Sequence, residues 1–202
     1  MKIAVIGAGG VGDALGTRLR DQDHSVRWGV RKPGDPKYAG MDARDILEAA
    51  ADAEILILAV PWSAAEDAIT QMGDVRGKIV IDAMNPITPD FSGLVNLGDK
   101  SAGEMVAGWA LGARVVKAFN TIGSNIMEDP RFGDINTTIL IAGDDEAAKN
   151  SVSQLAHDIG FTPVDAGPLA MSRHLEALAW IWITLAVKQG LGRDIVFQLL
   201  RR

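Results

Sequence analysis

The sequence predicts an α/β fold built on a doubly wound, mostly parallel sheet of about seven or eight strands. Three observations carry that expectation. Unbroken apolar runs, such as EILILAV (54–60) and KIVIDA (78–83), alternate with segments of helical period. A strand covered on both faces reads as such a run, because neither side of its pleat meets water. The first run also opens directly into a glycine cluster, Gly7-Ala8-Gly9-Gly10-Val11-Gly12. Finally, 202 residues, 48% of them apolar, suffice for one domain with a substantial core and a small appendage.

Element by element, KIAVIG (2–7) is the first strand. Val11, Leu15 and Leu19 recur every four residues, which predicts a helix over about 10–22. His24–Gly29 is the second strand. Residues 33–41 form a loop carrying at most one very short strand. Helices follow at 42–51 and 62–72, flanking the strand 54–60. KIVIDA (78–83) is the next strand, and 84–100, rich in Pro, Gly and Asn, is a long loop. A helix at 101–109 and strands at 114–118 and 137–143 come next. Asp144 or Asp145 is placed to cap a helix over 146–160. FTPVDAG (161–167) is the last strand, and 171–188 is a helix. The expected organisation is a dinucleotide-binding domain over 1–169 and a helical extension over 170–202 that folds over the open edge of the sheet.

Several classes are excluded. A net charge of −6 and a pI near 5.0 do not suit a nucleic-acid surface, which requires a basic face. With no cysteine there is no disulfide framework and no thiol nucleophile. No charged-then-apolar leader is apparent at the start. The longest apolar stretch, Leu175–Val187, is interrupted by Glu176 and falls short of the roughly 20 residues needed to span a bilayer. The expectation is a cytoplasmic protein without nucleic-acid or membrane partners. His24, His157 and His174 sit on separate elements, so no metal site is expected.

The glycine cluster is a GxGxxG between an apolar strand and an amphipathic helix, the context that makes it a dinucleotide-binding, Rossmann-type signature. Gly7 permits the tight turn, Gly9 lets the backbone approach a pyrophosphate, and Gly12 lets the helix pack on the strand. The helix N-terminus then offers free N–H groups to the phosphates.

The second strand indicates which dinucleotide. NAD-selective sites place Asp or Glu about 20 residues past the loop, on the ribose hydroxyls. Here the chain reads Gly29-Val30-Arg31-Lys32. An acid would repel the ribose phosphate of NADP, whereas a guanidinium can hold it with a forked pair of bonds. Asp35, the only nearby acid, lies in a Pro-flanked loop and is a poor ribose ligand.

Ligands of open α/β sheets bind at the carboxyl ends of strands. Four such ends stand out: Val60-Pro61-Trp62, Ala83-Met84-Asn85-Pro86, Phe119-Asn120-Thr121-Ile122-Gly123 and Ala166-Gly167-Pro168-Leu169. Phe119 is expected in the core. Asn120 and Thr121 are ligand candidates, because polar side chains at buried strand ends bond something.

Together, Gly7–Gly12, Gly29–Arg31, Pro61-Trp62, VKAFNTIG (116–123), GDD (143–145) and DAGPL with SRHLE (165–176) resemble one family. It is the NADPH-dependent reductases of the deazaflavin coenzyme F420 and their bacterial relatives. More distantly, the chain resembles the cytoplasmic oxidoreductase domain of the STEAP metalloreductases. The resemblance implies that Ala8–Val11 touch the pyrophosphate and Arg31 the ribose phosphate, with Lys32 beside it. It implies further that Val60, Pro61 and Ala83 lie along the nicotinamide half. Asn120 and Gly123 belong to the same expected cofactor site. Two departures mark this chain: the archaeal reductases have serine where it has Val30, and its KAFNT run has the form of the bacterial branch.

The activity this implies is hydride transfer between NADP(H) and a planar redox partner, F420 or a flavin. No side chain is expected to exchange protons; Trp62, Asn85, Asn120 and Thr121 are expected to position the rings. His24 should be exposed, His174 is a candidate to approach the cofactor, and Lys117 is expected to be structural. Two alternatives stay open: an imine reductase of the pyrroline-carboxylate type, and a non-catalytic NADP(H) sensor. Leu175, Leu178, Ala179, Trp182 and Leu185 along one side of the last helix suggest a homodimer.

Overall fold

Eight strands hydrogen-bond into one sheet in a computed structural model that describes every residue from Met1 to Arg202. In chain order the elements begin with β1 (Lys2–Ile6), α1 (Gly10–Arg20) and β2 (Ser25–Gly29). There follow β3 (Ala43–Arg44), α2 (Ile46–Ala51), β4 (Ile55–Leu58), α3 (Ala65–Gln71) and β5 (Ile79–Asp82). Beyond the long loop lie α4 (Ala102–Trp109), β6 (Arg114–Lys117) and α5 (Ser124–Glu128). A two-stranded hairpin, β7 (Arg131–Phe132) and β8 (Ile135–Asn136), stands outside the main sheet. The chain ends with β9 (Thr138–Gly143), α6 (Glu146–Asp158), β10 (Thr162–Gly167) and α7 (Ser172–Ile183).

The sheet runs β10-β9-β6-β5-β4-β1-β2-β3, and only the β6–β9 pairing is antiparallel. Within it, β3-β2-β1-β4-β5-β6 is the doubly wound order, whose direction switches between β1 and β4. Alternate residues feed two cores. Val5, Ile55 and Ile57 pack with α1, α5 and α6, whereas Ala4, Ile6, Leu56 and Leu58 pack with α2, α3 and α4.

Several boundaries differ from the sequence-based expectation. The helix expected from Asp42 starts at Ile46, because Asp45 caps it by accepting from the Glu48 N–H at 2.8 Å. Residues 43–44 instead pair with the end of β2 as the short edge strand, and 36–38 form a 3₁₀ turn. The first helix stops at Arg20, and Asp23 adopts φ 61° in the turn beyond it. Of the two candidate caps, Asp145 accepts from the Ala148 N–H at 2.7 Å. The helix expected over 171–188 ends at Ile183 and continues as a π turn, Thr184–Lys188. Helix α5 and the hairpin are too short to leave a periodic signal.

Residues 170–202 add no strand to either sheet edge, β10 or β3. Helix α7 packs on α4, and the tail beyond it is tied to α5 and to the start of β9. Leu175, Ala179 and Trp182 are buried within the chain, and Trp182 Nε1 donates to the Ile195 carbonyl at 2.7 Å. Three of the five residues expected to face a partner are therefore used internally, while Leu178 and Leu185 stay half-buried. His24 also departs from expectation: its Nε2 lies 3.1 Å from Asp158 Oδ2, and its ring is mostly covered.

One packing detail supports α1. Trp28 is fully buried, donates through Nε1 to the Gly12 carbonyl, and lies flush against Gly16. A Cβ at Gly16 would sit 2.5 Å from the indole ring. Gly16→Ala should therefore lower stability by about 1–2 kcal/mol, since overpacking outweighs the gain in helix propensity. The midpoint of denaturant unfolding measures this.

Candidate functional site

The carboxyl ends of β1 and β4 part at the switch point, and a two-lobed groove opens there. Gly9, Ala59, Val60, Pro61 and Ser63 line both lobes and form the waist. The glycine geometry explains the opening. Gly7 has φ +102°, and a Cβ on it would meet the Ala59 carbonyl oxygen at 2.5 Å. A Cβ on Gly12 would collide with the Gly7 carbonyl, so α1 can approach β1 only without one. At Gly9 a Cβ would meet nothing within 4 Å, so the space before it is groove and not protein. No side chain caps α1, which leaves its first-turn amides without partners beside that space.

The first lobe, about 610 Å³, is built from Gly9–Val11, Val60–Trp62, Ala83–Asn85 and the loop residues Ile87, Thr88, Pro89, Phe91 and Val95. It is mostly apolar and contains no titratable side chain. Trp62 is braced from behind by Trp109, with ring centroids 5.3 Å apart. The loop that carries Phe91 is tied by the Thr88 hydroxyl, which accepts from the Ser92 and Gly93 N–H groups. Asp90 belongs to the same turn. The hydroxyls of Thr88 and Ser92 lower its carboxyl pKa to about 2. Phe91 itself takes φ 56°, a left-handed conformation uncommon for a bulky residue.

The second lobe, about 550 Å³, runs from Gly7–Gly9 past Gly29, Val30 and Arg31 to Lys37 and Tyr38. Val30 is buried, so the usual carboxylate position holds an aliphatic group instead. Arg31 makes no ion pair or hydrogen bond within the chain. Lys37 is engaged: Asp35 Oδ2 lies 3.3 Å away, and the ammonium sits 4.9 Å from the Tyr38 ring centroid. The bond to Asp35 raises the Lys37 pKa. Asp35 accepts from the Lys37 N–H, which holds its carboxyl below the usual range. Asp67 lines this lobe too, but its carboxylate accepts from the Gln71 side chain at 2.6 Å.

Of the residues singled out in the sequence, the groove brings together Gly7–Val11, Arg31, Val60, Pro61, Trp62, Ala83 and Asn85. Lys32 is exposed and does not line it; Lys37 stands there instead. Asn120, Thr121 and Gly123 do not line it either. Asn120 is buried behind the wall: its Nδ2 donates to Asn85 Oδ1 at 2.9 Å, and its carbonyl accepts from Asn85 Nδ2 at 2.8 Å. Asn120 Oδ1 has no partner. The preceding Phe119 is buried as expected, at φ 62°. Gly123 packs against Trp182. His174 is exposed on α7 and does not line the groove, and neither do residues 166–169. No periodicity or motif marks Lys37, Tyr38 or Phe91, because the first two come from a single 3₁₀ turn and the third from an irregular loop.

Residues 2–86 match the family model described as NADP oxidoreductase coenzyme F420-dependent. The F420-dependent NADP reductase of Methanocaldococcus jannaschii is 30% identical over 210 residues, covering 93% of each chain. Metalloreductase STEAP3 of Rattus norvegicus is 33% identical over 183 residues, which span 88% of this chain but 36% of that protein. A crystal structure from Arthrobacter sp. FB24, assigned as an F420-dependent NADP-reductase, superposes with a TM-score of 0.90 at 30% identity and full coverage of both chains.

Proposed function

This chain belongs to the family of coenzyme F420-dependent NADP reductases, and from that membership we propose that its acceptor or donor is a planar ring system, a deazaflavin such as F420 or a flavin. It is an NADP-dependent oxidoreductase on a Rossmann-like fold. Bound NADPH supplies the hydride of such a reaction.

The groove suits that cofactor. The uncapped amides of α1 and the open space at Gly9 would hold the pyrophosphate. Arg31, free of internal partners, would pair with the ribose phosphate, with Lys37 and Tyr38 closing the lobe. Val60, Pro61 and Ala83 would bound the nicotinamide side. Residues 1–169 then form the cofactor-binding unit and 170–202 its extension.

The observation that carries the acceptor proposal is the first lobe itself: apolar and without any acid or base. Trp62 and Phe91 offer faces for a ring to stack on. A deazaflavin or flavin spreads the charge of an added hydride over its conjugated system, so solvent can supply the proton. Reducing an imine calls for a proton at the reacting nitrogen, and this lobe holds no carboxyl, imidazole, ammonium or phenol to supply it, its hydroxyls being those of Ser63 and Thr88. NADPH oxidation measured with F420, with a flavin and with a cyclic imine tests this. Turnover with a ring acceptor and none with the imine is expected. The reverse would overturn the proposal.

No helix is long and apolar enough to cross a membrane; a cytoplasmic location is proposed on the separate ground of the reductase relationship. A homodimer is also proposed, on a different basis from the α7 face. Ile181, Val187, Leu191, Leu199 and Leu200 are each at least half exposed near the carboxyl terminus. Light scattering at micromolar concentration should give twice the 21.5 kDa chain mass. A monomeric mass would remove this idea.

A further inference from the structure

Beneath the groove wall lies a group of charges with no part in the steps above. Lys117 closes β6 and is wholly buried. Its ammonium donates to Asp82 Oδ2 at 2.9 Å and to the Met84 carbonyl at 2.8 Å, and it forms an ion pair with Glu176 Oε1 at 3.0 Å. Asp82 ends β5 and is buried, and its other oxygen accepts from the Met84 N–H at 2.9 Å. Glu176 comes from α7, the helix whose apolar run it interrupts. Its carboxylate also accepts from the Ala102 and Gly103 N–H groups, at 3.1 and 3.2 Å, at the N-terminus of α4. Those amides and the helix dipole compensate the second carboxylate.

We infer that Asp82, Lys117 and Glu176 form a positioning triad that pins the Ala83–Asn85 wall and makes the ring-binding half of the groove depend on the seating of α7. Met84 is the point of transmission, because the triad holds both its N–H and its carbonyl. Asn85, next along, is held from the same side by Asn120. Stability alone does not explain the arrangement. Buried ion groups repay their desolvation poorly, and apolar side chains of similar volume often serve as well. What an apolar trio could not supply is a directed contact to the Met84 main chain. None of the three lines the groove, so they act only through the wall.

The inference rests on the assignment of the adenosine half to the Arg31 lobe and the nicotinamide half to the Ala83–Asn85 lobe. The test uses adenosine 2′,5′-bisphosphate, which carries the ribose phosphate but no nicotinamide. Calorimetry gives its Kd and that of NADPH for the wild type and for Glu176→Gln. A displaced wall should weaken NADPH about tenfold and leave the bisphosphate within about twofold, because a misplacement of about 1 Å affects only contacts made at the wall. Equal losses for both ligands, or no loss for either, would overturn the triad's role. If Glu176→Gln does not fold, the uncharged set Asp82→Asn, Lys117→Met, Glu176→Gln takes its place, with the same outcomes. Failure of both to fold would make the triad purely structural and overturn the inference. A wild type that binds NADPH but not the bisphosphate would refute the lobe assignment itself.

Discussion

Arg31→Asp is expected to weaken NADPH binding by about 2–4 kcal/mol, the range of a lost charge-assisted pair with added repulsion. NADH, which lacks the ribose phosphate, should lose much less. Arg31 has no partner within the chain, so removing it breaks nothing in the fold. Lys37 remains in the lobe, but Asp35 already engages it and the Tyr38 ring lies against it. It should therefore compensate only in part. The measurement is a pair of binding isotherms, one per cofactor. Equal loss for NADPH and NADH would mean that Arg31 acts on structure and not on the phosphate.

Asn120→Ala is expected to lower turnover by about 10²-fold, the scale of a ring misplaced by about 1 Å. The substitution removes the donor to Asn85 Oδ1 and leaves Asn85, which lines the groove, held by the Asn120 carbonyl alone. His157→Gln and His174→Gln should each cost less than about tenfold, against about 10²–10⁴-fold for the loss of a true general acid. Both histidines are exposed, and neither lines the groove. Steady-state rates at saturating NADPH compare the three variants. A severe loss in His174→Gln would point to a substrate that needs a proton, and so to an imine or carbonyl. Wild-type rates in Asn120→Ala would mean that the amide pair does not shape the wall.

What the sequence determined by itself is whatever depends on neighbours in the chain. The glycine spacing of Gly7, Gly9 and Gly12 is a local stereochemical demand, so it is legible in the chain alone. So are the buried strands, because a run such as ILIL needs no distant partner to declare itself apolar on both faces. The cation at Arg31 is legible as a departure from a known pattern. Tertiary structure decided the rest, because the decisive contacts join residues far apart in sequence. Lys37 replaces Lys32 because a 3₁₀ turn, capped by Asp35, swings it toward β2. Leu175, Ala179 and Trp182 of α7, which looked like part of an interface, became core, because α4 and the tail beyond α7 receive them. Glu176 looked like a polar interruption in an apolar run, yet it meets Lys117 and, through it, Asp82. No periodicity encodes such a meeting. A charge that is costly to bury settles only where the folded chain brings it partners, and those partners exist only once the sheet and α7 are in place.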